Sequence, residues 1–293
     1  MIINKQTFEI NKKTISKFSL LLPYILITLL LIIIPLILVF IKPFETTIDS
    51  TSGNKVPVSN NWQVLGTTIW EKIGISILLA ISVTLICSVF GYMFAYFLSL
   101  SKNKSSRIIA ISLMTSPMWI SFLVKIVGIK EVLDVIGGGP NSTYGLIFTI
   151  LALSYVNLPI FVLTIYTFLN TLPKNLLEAS KDLGKNSFQT FFFVVIPYTK
   201  NAIISGVTLV FLPSLTTAGV SQFVDNSNDN TLIGGILLDK GMEATTSQIA
   251  LARVATLSLI ICLVILILWS ITVLIPKTIK YLKQNKKEVN TNA

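Results

Sequence analysis

Six apolar stretches constrain this chain more than any other feature, because each is long enough to cross a bilayer as a helix. They run from Phe18 to Ile41, Ile73 to Leu98, Ile108 to Val127, Thr143 to Leu169, Ala202 to Val220 and Arg253 to Ile275. A hydrocarbon core about 30 Å thick needs about 20 apolar residues at a 1.5 Å rise. No water reaches the backbone there, so helices, which satisfy their own N–H and C=O groups, are the expected solution. Composition agrees: 53% hydrophobic against 12% charged residues, with a mean hydropathy of +0.77, is far from the balance of soluble chains. The expected fold class is all-α, a polytopic membrane protein with six transmembrane helices. They form one membrane domain over residues 18–275, between an N-terminal segment, 1–17, and a basic tail, 276–293. The loop from Lys42 to Lys72 is rich in Thr, Ser and Asn and carries Trp62 and Trp70 near its end, which suits a segment at the membrane interface. No regular structure is assigned to it.

Basic residues set the orientation. Lys102, Lys104 and Arg107 lie between the second and third spans, and Lys174, Lys181, Lys185 and Lys200 between the fourth and fifth. Lys277, Lys280, Lys283, Lys286 and Lys287 follow the sixth. The intervening segments hold acids that match or outnumber their bases, such as Asp225, Asp229, Asp239 and Glu243 against Lys240. Both termini are therefore expected in the cytoplasm of a multi-pass protein of the cell membrane. Lys5, Lys12, Lys13 and Lys17 before the first span suggest a signal peptide, but the apolar run is too long and no small-x-small site follows, so it is expected to be retained. The net charge of +10 is then topological, with basic clusters beside anionic lipid headgroups and no nucleic-acid partner.

Catalytic chemistry has little to work with. The chain has no histidine, which removes Ser-His and Cys-His catalysis and His-ligated metals. Cys87 and Cys262 lie inside spans, so neither a disulfide framework nor a cysteine metal site is expected, and no Asp or Glu lies well within a span. No phosphate loop is present. Ala179 to Asn186 contains Gly184-Lys185 but lacks the opening glycine and the closing Ser or Thr, and Gly137-Gly138-Gly139-Pro140 reads as a turn after the third span. No enzymatic activity, metal or cofactor is expected of this chain.

The most informative polar segment is the loop 170–200 between the fourth and fifth spans. Thr171 and Pro173 read as a helix start. Leu176, Ala179, Ser180 and Leu183 recur at helical spacing, and Gly184 can adopt the left-handed conformation that closes a helix. Asn186 or Ser187 can cap a second helix with Phe188, Phe191, Phe192 and Val195 on one face, which Pro197 ends. A cytoplasmic helix-turn-helix is expected.

Glu178-Ala179-Ser180, Gly184 after three more residues, and Val194-Val195-Ile196-Pro197 after nine further positions resemble the coupling loop of ABC importer permeases of the type I fold. The family motif is Glu-Ala-Ala, a glycine and an Ile-x-Leu-Pro ending. Here Ser180 stands for the second alanine, Val194 for the isoleucine and Ile196 for the leucine. The resemblance implies that Glu178 to Gly184 sits in a cleft of a separate ATP-hydrolysing subunit and transmits nucleotide-driven motion. On this reading Ala179 and Ser180 allow close helix approach, and Glu178 and Asp182 pair with basic groups of the partner. ATP and Mg belong to that partner.

Further segments are similar to the B-type permeases of spermidine/putrescine transporters. They include Gly91-Tyr92 with Ala95-Tyr96-Phe97-Leu98, Ser116-Pro117-Met118-Trp119, Lys125 to Lys130, and Leu212-Pro213-Ser214 through Val220-Ser221 to Leu232-Ile233-Gly234. The sequence departs where Gln222 replaces an acidic residue expected after the Val-Ser pair, with Asp225 a little later. The implied assembly contains a homologous permease subunit, two ATP-binding subunits and an extracellular substrate-binding protein, and imports polyamines. A permease of this fold could equally carry an amino acid, sugar, sulfate or metal complex, and a non-transporting membrane scaffold could also present such a loop. Candidate pathway residues are Tyr92, Tyr96, Trp119, Tyr155, Asn157, Gln222 and Asp225. Their aromatic faces and amide oxygens can each offer a cation about 0.5–2 kcal/mol, although helix packing also explains the aromatic ones.

Overall fold

The computed structural model describes residues 21–48, 54–137, 142–220, 224, 232–245 and 247–291, with side chains up to Ser270. Helix α1 spans Leu21–Phe44, with a π turn at Leu29–Ile33 and a last turn of 3-10 helix. The antiparallel pair β1 (Thr47–Ile48) and β2 (Lys55–Val56) and the short α2 (Ser59–Trp62) follow. The remaining helices are α3 (Thr67–Leu100), α4 (Lys104–Thr115), α5 (Phe122–Gly137), α6 (Ser142–Leu169), α7 (Lys174–Asp182), α8 (Ser187–Thr216), α9 (Ile233–Glu243) and α10 (Gln248–Thr291). Contacts divide the chain into two compact units, residues 1–64 with 241–262 and residues 65–240 with 263–293.

In the first unit α1 is apolar on every side and exposed along its whole spanning length. Such a helix is stable only against lipid or another membrane helix. The segment after it is ordered by one buried amide, since Asn61 Nδ2 donates to the carbonyls of Pro43 (3.2 Å) and Glu45 (3.0 Å). The Trp62 ring lies 5.5 Å from that of Phe44, and Arg253 Nη2 donates to Asn60 Oδ1 at 3.2 Å.

The second unit is built on α3, α6 and α8, which pack against one another. Along α3 the buried positions Ile73, Ser76, Leu79, Ala80, Val83, Thr84, Cys87, Gly91, Ala95 and Leu98 follow a helical period and make one face, while Leu78, Leu85, Phe90 and Phe97 face outward. Lipid tails are as apolar as leucine, so close packing rather than escape from water holds such helices together, and small residues at the seams permit it. Phe161 of α6 shows this directly. Its ring is fully buried, and a Cβ added at Gly91 of α3 or Gly206 of α8 would lie 2.8 or 2.9 Å from it. The start of α9 is seated as tightly: Ile233 N–H donates to Ser76 Oγ at 3.0 Å, and a Cβ on Gly234 would lie 2.5 Å from the Thr216 and Thr217 carbonyl oxygens.

The second and fourth expected spans appear as α3, longer by six residues at its start and two at its end, and α6, longer by one at its start. Pro159 lies inside α6 without breaking it. Three expectations are corrected. The third stretch, Ile108 to Val127, is not one helix. Pro117 removes a backbone donor, Ser116–Trp119 tightens to a 3-10 turn, Ile120 is extended, and α4 and α5 meet at 103°. The described chain thus has 5 helices able to cross a membrane, or 6 if this bent pair counts as one. The fifth helix does not begin near Ala202 but at Ser187, and it ends at Thr216, short of Val220. Pro197, expected to end a short helix, lies inside it. A π turn at Phe191–Val195, closed by Ile196 N–H to the Phe191 carbonyl, widens the helix just before the proline ring, so the chain continues. Helix α10 runs on through the expected basic tail to Thr291.

Candidate functional site

The turn between α7 and α8 is over-determined by short-range chemistry. Pro173, extended at ψ 126°, is the residue before the helix, and Lys174 opens it. Thr171 does not cap α7 as expected. Its hydroxyl donates to the Phe168 carbonyl at 2.7 Å, and its own carbonyl accepts from Tyr198 Oη at 3.1 Å, tying the corner to α8. Gly184 closes α7 at φ +74°, with Gly184 N–H to Lys181 O (2.8 Å) and Lys185 N–H to Ser180 O (3.1 Å), the paired bonds of a Schellman end. Asn186, rather than Ser187, caps the next helix. Its Oδ1 accepts from Gln189 N–H at 2.8 Å while Gln189 Oε1 accepts from Asn186 N–H at 3.2 Å, a complete capping box.

Packing rotates α7 away from the stripe read in the sequence. Ser180 is buried and Leu177 packs toward the core, whereas Leu176, Ala179 and Leu183 face outward with Glu178 and Asp182. Leu183 is 78% exposed and Phe188, across the turn, 72%. Leu176 and Leu183 thus stand exposed beside two carboxylates on a helical turn. The phenylalanines of α8 divide in the same way: Phe191 and Val195 turn inward, Phe188 and Phe192 outward. The bond that holds the hairpin together was not apparent in the sequence. Ser180 Oγ and Thr190 Oγ1, both buried, lie 2.8 Å apart, so the serine that stands at the second alanine of the motif latches α7 to α8. Removing either hydroxyl strands the other, and Ser180→Ala or Thr190→Val should each cost about 1 kcal/mol. The double variant should recover most of that loss in thermal denaturation of the purified protein; additive losses would show that the pair is not coupled.

The candidate pathway residues do not converge on one site. Tyr92 is buried, its hydroxyl 2.7 Å from Thr199 Oγ1, with its ring edge-on to Phe191 at 5.5 Å. Tyr96 packs on the other side of Phe191 at 4.7 Å. Both tyrosines therefore belong to the joint that connects α3 to the start of α8, immediately behind the turn between α7 and α8. Asn157 is buried elsewhere, donating to Leu153 O (2.9 Å) and Ser214 Oγ (3.2 Å). Ser214 and Thr199 lie on the same helix about 22 Å apart at 1.5 Å per residue. Trp119 stands 89% exposed at the α4–α5 corner and Tyr155 is 47% exposed on α6. Gln222 and Asp225 lie outside the described residues.

Comparisons with known proteins agree with this architecture. The family described as "Binding-protein-dependent transport system inner membrane component" matches residues 87–280. The "Spermidine/putrescine transport system permease protein PotB homolog" of Mycoplasma genitalium is 34% identical over 280 residues, covering 93% of this chain and 97% of its own. The corresponding PotB of Escherichia coli is 29% identical over 265 residues, covering 86% and 96%. Among solved structures, a chain of a bacterial ABC transporter involved in the import of the acidic polysaccharide alginate superposes with a TM-score of 0.71 at 12% identity, covering 94% of this chain and 99% of its own. A chain of the MetNI methionine ABC transporter, in an inward-facing conformation, gives 0.55 at 16% identity, covering 72% and 94%. The stacked spans, the glycine-closed turn between α6 and α8 and the match over two-thirds of the sequence place this chain in the family of binding-protein-dependent transport system inner membrane components, the permease subunits of ABC importers.

Proposed function

We propose that this chain is one of two permease subunits in an ATP-driven importer of polyamines such as spermidine and putrescine, coupled through α7 to a separate ATPase. The observation that carries the substrate is the likeness to spermidine/putrescine permeases over nearly the whole length of both chains. The exposed faces suit the partners this reading calls for. Leu176, Ala179 and Leu183 beside Glu178 and Asp182 fit an apolar cleft with a basic rim on one of two ATP-binding subunits, which hold the ATP and Mg. The all-round apolar α1 suits contact with a homologous permease and with lipid. An extracellular binding protein delivers the solute, and residues 18–275 form the membrane domain with both termini cytoplasmic. Glu131, Asp134, Asp239 and Glu243 add negative charge that raises the local concentration of a polycation at modest ionic strength. The cation passes by dispersed contacts, of which Trp119 and Tyr155 are exposed, while Tyr92, Tyr96 and Asn157 fix the helices that frame the path.

Two measurements test this reading. Proteoliposomes containing the four-subunit complex, with ATP inside and binding protein outside, should accumulate labelled spermidine. Uptake of an amino acid or sugar with no polyamine uptake would keep the family and reject the substrate. A single cysteine at Asn186, in a background lacking Cys87 and Cys262, should resist an impermeant thiol reagent in intact cells and react after permeabilisation. Labelling from outside would invert the proposed topology.

A further inference from the structure

Behind the docking turn lies a cavity of about 610 Å³ between the end of α3, α7 and the start of α8. Its walls are apolar, formed chiefly by Met93, Phe97, Leu100, Phe188 and Phe192, and the cationic side chain on its lining is Lys181. The depth of this cavity in the membrane can be read along α3. Trp70 near one end and Tyr96 near the other are separated by about 39 Å of helix at 1.5 Å per residue. That matches a hydrocarbon core of about 30 Å with the inner part of each headgroup layer, the level at which Trp and Tyr settle. The cavity therefore straddles the boundary between acyl chains and headgroups. The charge on its lining is positive, since Lys181 makes no ion pair among the described residues.

We propose that this cavity binds one anionic phospholipid, with an acyl chain along Met93, Phe97 and Phe192 and the phosphate at Lys181. A soluble partner would leave the exposed phenylalanines facing lipid tails unmatched, and a zwitterionic lipid would bring an ammonium toward the lysine. An anionic phospholipid satisfies both halves of the cavity, and it would wedge α7 against the membrane-embedded end of α3. Binding energy at such a site is electrostatic at one end and apolar at the other, and one lysine near an anionic surface contributes about 1 kcal/mol, or about fivefold in occupancy. The inference rests on the chain's place in the membrane and is independent of the solute carried.

The test uses the complete complex in phosphatidylcholine nanodiscs doped with a phosphatidylglycerol probe bearing a photoreactive acyl chain, with crosslinked peptides read by mass spectrometry. The expected result is crosslinking at Met93 to Leu100 and Phe188 to Phe192, competed by unlabelled phosphatidylglycerol and not by phosphatidylcholine, and lowered about fivefold by Lys181→Gln. As Lys181 is exposed, this variant should fold normally, and Phe97→Arg, which places a charge in the acyl slot, should reduce crosslinking independently. Equal competition by phosphatidylcholine would reduce the site to ordinary annular lipid and overturn the proposal. Crosslinking that appears only when the ATPase subunits are removed would assign the cavity to those subunits and overturn it as well. Because the readout is lipid occupancy, a negative result leaves the transport reading standing, and a failure of polyamine uptake leaves the lipid result interpretable.

Discussion

Replacing Gly184 by Val should lower ATP-driven uptake about tenfold or more while the protein inserts and assembles at parental levels. Gly184 sits at φ +74°, and a Cβ there would meet nothing within 4 Å, so the whole penalty is conformational. The left-handed region costs an ordinary residue about 1–2 kcal/mol, and a β-branched one more; a factor of ten corresponds to about 1.4 kcal/mol. The ranking of substitutions distinguishes this cause from lost contact. Asn, which tolerates the conformation, should retain most activity, Ala less and Val least. Activity that instead falls with side-chain volume regardless of φ preference would show that the turn's backbone shape is not what transmits motion. The exposed carboxylate of Glu178 supplies a second arm: Glu178→Lys should uncouple ATP hydrolysis from uptake without affecting thermal stability, since the exposed side chain makes no hydrogen bond or ion pair among the described residues. Normal coupling in both variants would remove α7 from the transmission path.

The Phe161 clasp predicts the largest effect on stability. Phe161→Ala should cost about 3–5 kcal/mol, the range of buried phenylalanine truncations, because glycines on both flanking helices leave nothing able to move into the cavity. Gly206→Ala should also destabilise, by about 1–3 kcal/mol, because its Cβ would lie 2.9 Å from a ring that Gly91 holds from the other side. Combined with Phe161→Leu, which withdraws the ring edge, Gly206→Ala should become nearly neutral, giving a coupling energy of about 1 kcal/mol or more in thermal denaturation of the purified complex. Simple additivity of the two substitutions would mean that the seam relaxes by helix displacement and is not a close-packed joint.

Two further joints give the proposed coupling a route from α7 into the membrane. The Ser180–Thr190 latch joins α7 to the start of α8, and Tyr92, Tyr96 and Phe191 join that start to α3. The π turn at Phe191–Val195 lies between the latch and the continuous helix beyond Pro197. On the proposed coupling role, a shift imposed on α7 would be delivered to α3 and α8 together.

The sequence by itself determined the membrane class and the chemical punctuation of the turn between α7 and α8, because these depend on local quantities. Apolar run length decides whether a segment can cross a bilayer, and Gly184 and Asn186 act through backbone bonds to residues at most five positions away. Tertiary structure decided everything that depends on which face a helix presents. It turned Ser180 inward and Leu183 outward, since a weakly apolar stripe on a nine-residue helix leaves the choice to whatever packs against it. The 103° break at Pro117 and the unbroken passage through Pro159 and Pro197 show the same limit, because each proline removes one donor but the neighbouring helices and the π turn decide whether the chain bends. Tyr92 and Asn157, which composition alone could equally place along one pathway, were separated for the same reason: their hydroxyl and amide partners, Thr199 and Ser214, lie on a helix distant in sequence and were chosen by three-helix packing around Phe161.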